Sequence, residues 1–237
     1  MENRFEQQLS QLELTLTEKQ KEQFNQYYEL LVEWNKVMNL TGITDYDEVN
    51  EKHFVDSVAI VKAIDLNEIN KVIDIGTGAG FPGIPLKIMF PHLNIVLLDS
   101  LKKRISFLDE VIKVLGLEGI ETLHGRAEDY AQKAEYREMF DLCVSRAVAN
   151  LSTLSEYCLP YIREDGYFIP YKSGTIEEEL KASEKAVKIL GGKIEKTVKF
   201  HLPDTEIGRS FVRIKKIAKT NKKYPRKAGL PSKEPIQ

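Results

Sequence analysis

Fourteen consecutive residues hold most of the chemistry this chain can do: Val72-Ile73-Asp74-Ile75-Gly76-Thr77-Gly78-Ala79-Gly80-Phe81-Pro82-Gly83-Ile84-Pro85. A β-branched apolar run ends in glycines at alternate positions and is followed by a proline-flanked apolar segment. That order predicts a buried strand, a tight turn and a helix start, where proline is tolerated because no amide donor is needed. Glycines at such a turn let the backbone approach a ligand closely. The helix start adds unpaired N–H groups aimed at the same ligand. A second apolar run, Asn94 to Leu98, ends in the carboxylate of Asp99. In a strand–helix–strand unit that acid falls beside the first turn and can accept both hydroxyls of a ribose.

Two ligand classes use such a turn. Gly78, Gly80 and Gly83 satisfy the dinucleotide spacing Gly-x-Gly-x-x-Gly. Gly83 then sits in a proline-flanked first turn instead of deeper in the helix, where close packing on the strand would need it. Asp74, Gly76, Gly78 and Gly80 instead satisfy Asp-x-Gly-x-Gly-x-Gly, the first motif of class I S-adenosyl-L-methionine-dependent methyltransferases. In that reading Asp74 lies near the ammonium group of the ligand, whereas a pyrophosphate would be repelled by it. Asp99 serves a nucleoside in either case, so Asp74 and the glycine register make the choice.

The elements needed to hold these residues follow from the rest of the pattern. Strands are expected at 71–75, 94–98, 119–123, 140–145, 166–171, 194–201 and 210–217, and helices near 83–90, 101–115, 127–134, 150–161 and 174–190. Alternation of this kind predicts an α/β fold with a mostly parallel sheet covered on both faces. The last two strands have only the Pro203–Gly208 loop between them and should form an antiparallel hairpin. A Rossmann-like seven-stranded sheet ending in a hairpin is the class I methyltransferase plan. Residues 1–65 read as a helical N-terminal cap and 66–237 as the methyltransferase domain with a basic C-terminal segment. In the cap, Thr17-Glu-Lys-Gln20 can form a capping box. Phe24, Tyr27, Tyr28, Leu31, Trp34 and Met38 recur at helical spacing and read as core residues rather than a base-stacking platform. A further helical stretch, 47–64, carries His53, Asp56 and Ser57.

Composition narrows the class. With 237 residues, 42% hydrophobic, the chain can bury one large α/β domain with extra helices. No run of 18 apolar residues occurs, and Met1-Glu2-Asn3-Arg4 lacks the apolar core of a signal peptide. Cys143 and Cys158 lie in apolar surroundings without metal-type or redox-type spacing. The expectation is a cytoplasmic protein with two free thiols, no metal site and no membrane anchor. The net charge of −2 conceals an asymmetry: residues 213–237 carry nine basic groups and one acid, which leaves −10 on the first 212. Such a tail is either a phosphate-binding footprint or a solvated edge strand kept from pairing by lysines.

At the carboxyl ends of the strands, where open α/β sheets bind ligands, four places stand out. Besides the glycine loop and Asp99, these are Gly125-Arg126-Ala127-Glu128 and Ser145-Arg146-Ala147. Ala127 and Glu128 could read an adenine edge, or Glu128 could simply oppose a helix dipole. Arg146 lies where a methyl acceptor should meet the cofactor, or forms an ion pair. The fourth strand is followed by neither Asn/Asp-Pro-Pro-Tyr, used for exocyclic amines, nor a Pro-Cys nucleophile for pyrimidine carbon. An acceptor that needs neither device is a ring nitrogen with a free lone pair, such as guanine N7. Catalysis would then be placement, with no general base.

These residues together resemble the bacterial glucose-inhibited division protein B family, the small-subunit ribosomal RNA guanine-N7 methyltransferases. The resemblance spans nearly the whole chain: Trp34-Asn35 and Met38-Asn39-Leu40-Thr41, His53-Phe-Val-Asp56-Ser57, Asp74 to Pro85, Asp99-Ser-Leu-Lys-Lys103-Arg104, Phe107-Leu108, Gly125 to Glu128, Ser145 to Ala147, and Tyr224-Pro-Arg-Lys-Ala-Gly229. Val58 stands where the family often has Leu. The resemblance implies methyl transfer from S-adenosylmethionine to one guanine of 16S rRNA, position 527 in the usual rRNA numbering, with the small ribosomal subunit or its RNA as partner. It also implies cofactor contacts at Gly76, Phe81, Ala127, Glu128 and Arg146. Substrate-side candidates are His53, Asp56, Lys172, Arg226 and Lys227, although His53 and Asp56 could equally make local helix hydrogen bonds. Two other readings stay open: a small-molecule methyltransferase with an incidental basic tail, and a ribosome-binding assembly factor without catalysis.

Overall fold

The computed structural model describes residues 4–236, so the first three residues of the leader reading lie outside the described residues. The chain opens with α1 (Arg4–Ser10) and α2 (Glu18–Met38). The expected capping box starts α2: Thr17 Oγ1 accepts from Gln20 N, and Gln20 Oε1 accepts from Thr17 N at 2.9 Å. Asn39 ends it in a left-handed conformation, φ 50°. Phe24, Tyr27 and Leu31 form its buried face.

The helical stretch expected over 47–64 is present and composite. It runs through α3 (Tyr46–Val49), a π-helical stretch Asn50–Val55, α4 (Asp56–Val58) and a 3-10 turn Ala59–Lys62. The Asp45 carboxylate caps its start. Ser57 Oγ donates back to the His53 carbonyl, a local bond that competes with regular helix geometry. A 3-10 turn at Leu66–Glu68 then leads into the sheet.

Seven strands follow: β1 (Lys71–Ile75), β2 (Asn94–Asp99), β3 (Ile120–His124), β4 (Phe140–Arg146), β5 (Ile162–Ser173), β6 (Gly192–His201) and β7 (Gly208–Lys216). Their order is β3-β2-β1-β4-β5-β7-β6, with β1 to β5 parallel and β7 antiparallel to both β5 and β6. The hairpin expectation therefore holds. Alternate strand residues supply two separate cores. Val72, Ile95, Leu97, Leu142 and Val144 face one way, where the N-terminal helices, α5 (Gly83–Met89) and α6 (Lys102–Val114) cover them. Ile73, Ile75, Val96, Leu98 and Cys143 face the other, under α7 (Ala127–Tyr130), α8 (Leu151–Cys158) and α9 (Glu177–Ile189). Both cysteines are free and buried.

Two boundaries differ from expectation by four residues. α7 stops at Tyr130, well short of 134, and Arg137 Nη1 caps the Ala131 carbonyl just beyond. β5 is longer than expected because its start pairs with the start of β4 before a bulge. After β7 the chain crosses the α7–α8 side and ends in α10 (Leu230–Lys233). Among the described residues no helix is long and apolar enough to cross a membrane.

Register sets what the sheet can present at its carboxyl end. Asp99 lies opposite His124, Arg146 opposite Tyr171, and Ser173 opposite Arg209. The strand order reverses between β1 and β4, which places the glycine loop and Arg146 on either side of the switch point.

Candidate active site

The glycine loop is built from backbone. Gly76, Gly78 and Gly80 all have left-handed φ, 70°, 64° and 97°, a conformation that disfavours side chains. Space around them differs. A Cβ on Gly78 would meet only the Gly76 carbonyl, 4.0 Å away, so this glycine marks the loop's open face. A Cβ on Gly80 would strike Ile84 and the Tyr27 hydroxyl, at 2.6 and 2.7 Å. That hydroxyl donates to the Ala79 carbonyl, so α2 holds the loop from behind. A Cβ on Gly76 would fall 2.5 Å from Val148 Cγ2, because the segment after β4 lies across the loop.

Asp74 occupies the expected position but turns inward. It is fully buried, and its Oδ2 accepts from Thr77 Oγ1 at 2.7 Å and from Gly83 N at 2.9 Å. Burial raises its pKa to about 7, and Oδ1 has no partner among the described residues. Its carboxyl therefore pins the loop to the first turn of α5 and does not face the cleft toward a ligand ammonium. Gly83 corrects a second expectation. In the first helical turn it already packs close on a strand: a Cβ there would lie 2.2 Å from Leu97 Cδ2.

Asp99 is 2% exposed at the end of β2. Its Oδ2 accepts from Gly78 N at 3.0 Å and pairs with Arg104 at 3.2 Å, while Oδ1 accepts from Leu101 N at 2.9 Å. The acid thus ties the loop to β2. At the end of β3, Ala127 is buried and its carbonyl accepts from the Tyr161 hydroxyl. Glu128 is not a solvated helix charge. It is 5% exposed, and Oε1 accepts from Gly229 N at 2.8 Å.

The β4 end is built from long side chains instead. Arg146 Nη1 donates to Asp56 Oδ2 at 2.8 Å and to the Lys52 carbonyl at 3.2 Å. Its guanidinium lies 5.0 Å from the centre of the Phe81 ring, and the His53 ring stacks on the same phenylalanine at 4.6 Å. Phe81 is therefore a buried platform for Arg146 and His53. His53 Nε2 faces Thr41 Oγ1 at 2.8 Å and Nδ1 faces Arg146 Nη2 at 3.4 Å. Burial and the Arg146 charge push its pKa down to about 4, so the ring is neutral. Of the two readings of Arg146, the ion pair is what the structure displays, with Asp56 fixing the guanidinium beside Phe81 and His53.

Arg209, which sequence reasoning missed, completes this cluster. Its Nε donates to Asp56 Oδ1 at 2.8 Å, so one buried carboxylate holds two guanidinium groups. The available signal was its place beside Gly208 at the mouth of the hairpin, which registers it with β5. Lys172 joins from β5, donating to the Ala149 carbonyl and to Glu179 Oε1 at 2.8 and 2.6 Å. His53, Asp56, Arg146, Lys172 and Arg209 line a cleft of about 550 Å³. Lys52 also borders it, so its lining is net cationic.

The tail separates from this cluster. Arg226 makes a bidentate pair with Glu156, a carboxylate 1% exposed, at 2.7 to 3.1 Å. It is a tie to α8 and is not free to hold RNA, which corrects the expectation for this residue. Lys227 is exposed. Arg213, Lys215 and Lys216 are also paired, with Glu195, Asp165 and Glu138. The charge excess therefore reaches solvent through Lys219, Lys222, Lys223, Lys227 and Lys233.

A sheet of this order, with a glycine loop after β1 and a carboxylate closing β2, is the class I S-adenosylmethionine-dependent methyltransferase fold. Solved structures share it at low identity. YcgJ from Bacillus subtilis aligns at 12% identity, TM-score 0.52, over 70% of this chain and 100% of that one. A mutant of MtNAS aligns at 16% identity, TM-score 0.54, over 84% of this chain and 75% of that one. Residues 20–226 match the GidB family model, described as rRNA small subunit methyltransferase G, and the chain belongs to that family. Relatives called "Ribosomal RNA small subunit methyltransferase G" include one from Lachnoclostridium phytofermentans, 53% identical over 98% of this chain and 96% of its own length. Another, from Desulforamulus reducens, is 53% identical over 95% and 94%.

Proposed function

We propose that this protein transfers the methyl group of S-adenosyl-L-methionine to N7 of one guanine in 16S rRNA, the base at position 527. The observation that carries the reading is the meeting, at one switch point, of a glycine loop tied to Asp99 and a cationic cleft centred on Arg146. Gly76, Gly78, Gly80 and Asp99 would hold the cofactor, with Phe81, Ala127 and Arg146 bordering it. The residues suit that ligand. The loop has an open face at Gly78, whose N–H is held by the carboxylate of Asp99 at the end of β2. When bound, the cofactor supplies an electrophilic sulfonium methyl.

Guanine N7 has a lone pair and no proton, so the protein has no proton to remove and must only align two atoms. Arg146 supports that task if it donates to guanine O6 and leaves the N7 lone pair free. Neutral His53 adds no positive charge beside a product that is itself cationic. Asp56, with both oxygens engaged by arginines, orients Arg146 and Arg209. The exposed Lys227 and the net cationic lining of the cleft offer positive charge to RNA phosphates. N7 is inaccessible in the deep, narrow major groove of an A-form helix, so the acceptor base is expected in a loop or unstacked. No cluster of metal-ligating side chains occurs among the described residues.

A tritium-transfer assay with rRNA, free nucleosides and small metabolites as competing acceptors tests the proposal. Label confined to rRNA supports it. Label on a metabolite would make the chain a small-molecule methyltransferase, and no label with intact cofactor binding would make it an assembly factor.

A further inference from the structure

Among the described residues, two carboxylates are buried on helices that begin at the ligand-binding end of the sheet. Glu128 is in α7, immediately after β3, and Glu156 is in α8, which follows β4. A buried carboxylate is costly unless it is paired. Both find hydrogen-bond partners in the C-terminal segment, and for Glu156 the partner is also a counter-charge. Glu156 takes the Arg226 guanidinium and the Arg226 backbone N–H, and Glu128 takes the Gly229 N–H. Gly229 has φ 84°, with nothing within 4 Å of where a Cβ would be, so glycine is required there by conformation and not by space. That conformation presents its N–H to Glu128.

The segment is held along its whole length. Arg137 donates to the carbonyls of Thr220 and Tyr224, Gln132 to that of Pro225, and Thr153 to that of Pro231. It therefore bridges α7 and α8, the helices that follow β3 and β4. A basic arm selected for RNA contact would leave its arginine exposed. Here the arginine is an anchor, and what the anchor delivers to the end of β3 is Gly229.

We propose that residues 224–233 form a latched strap, fixed by Glu156 and Glu128, which closes the nucleoside end of the cofactor cleft. Arg226 and Glu156 are then positioning residues for cofactor binding. They act through Glu128 and Ala127 and not through RNA. This inference rests on the cofactor site assigned above.

Hydrogen–deuterium exchange on the full-length protein, with and without S-adenosylhomocysteine, tests it without a mutation. Peptides covering 76–81 and those covering 224–233 are expected to gain protection together. Protection of 76–81 with unchanged exchange at 224–233 overturns the strap and leaves the cofactor site standing. Protection of neither overturns both. Kinetics of Arg226→Gln and Arg226→Lys give a second reading. Arg226→Gln should raise KM for S-adenosylmethionine by roughly tenfold, about one hydrogen bond to a charged group. Its kcat and its KM for RNA should stay within about twofold, with Arg226→Lys intermediate. A raised KM for RNA with an unchanged KM for the cofactor would make Arg226 a phosphate contact and refute the strap.

Discussion

The loop end and the cleft end of the site are made in opposite ways. At the loop end, between β1 and β2, the surface is largely backbone, with the Asp74 carboxylate turned inward onto Gly83 N and Asp99 tying Gly78 N to β2. At the cleft end, between the N-terminal helices and β4, β5 and β7, the surface is long side chains converging on Asp56. A backbone site is rigid because its geometry is fixed by φ and by close packing, as at Gly83 against Leu97. A side-chain site depends on every partner being present. The difference predicts that damage at the cleft end spreads to catalysis and pH response, whereas damage at the loop end appears first as lost cofactor affinity.

The largest effect is expected at Arg146. Arg146→Ala removes the group proposed to face the acceptor and leaves Asp56 with Arg209 alone. Turnover should fall by roughly 100- to 1,000-fold, the usual loss when one preorganised donor is deleted, with cofactor affinity changed far less. Single-turnover kinetics beside calorimetric titration would check this, and normal methylation of rRNA by the variant would reduce Arg146 to a structural ion pair.

His53 gives the next effect. Its folded-state pKa of about 4 lies below the ordinary 6.5. Between those values the unfolded chain takes a proton that the folded protein refuses, so stability falls as pH drops through that window. The loss is at most about 3 kcal/mol. Denaturant unfolding at pH 7 and pH 4.5 should show a smaller drop for His53→Gln than for the unmutated protein. Equal drops would mean that His53 titrates normally.

Asp99 ranks third. Asp99→Ala should weaken S-adenosylmethionine binding by about 1.5–3 kcal/mol, the range for a lost charged hydrogen bond. The sequence alone leads one to expect little change in folding. The bonds from Gly78, Leu101 and Arg104 show that the melting temperature should fall as well. Asp99→Asn, which keeps one acceptor, should recover part of the stability and less of the affinity. Unaltered affinity in a folded Asp99→Ala variant would remove this acid from the cofactor site.

The smallest effect separates two neighbours in the tail. Lys227→Ala should make the salt dependence of RNA binding shallower by about 0.7, one phosphate contact on a single strand. Arg226→Gln should leave that slope unchanged, because its charge is already spent on Glu156. The reverse pattern, measured by binding titrations from low to moderate salt, would restore the free-arm view of the tail.

These contrasts also explain what could be read in advance. The sheet, its hairpin and the glycine loop were legible because they are written in contiguous residues with period 2 or fixed spacing. The cleft was legible only in part. Residues 53, 56, 146, 172 and 209 meet through strand order and register, which no local pattern encodes, and Arg209 carried no motif of its own. Charge counting misjudged the tail for the same reason. A basic residue reads alike whether it faces solvent, as Lys227 does, or a buried acid far away in sequence, as Arg226 does with Glu156. Asp74 shows the limit of a motif, since spacing located the acid but could not say which way its carboxyl points.

The central claim is methyl transfer to N7 of one guanine, and N7-methylguanosine leaves a chemical mark. Small subunits lacking the modification would be incubated with the protein and S-adenosylmethionine. The extracted 16S rRNA would then be reduced with borohydride and cleaved with aniline, which breaks the chain only at N7-methylated guanines. The account predicts one new enzyme-dependent cleavage, at position 527, abolished in Arg146→Ala. Stoichiometric methylation of the RNA without any new cleavage would place the methyl on another atom and contradict it.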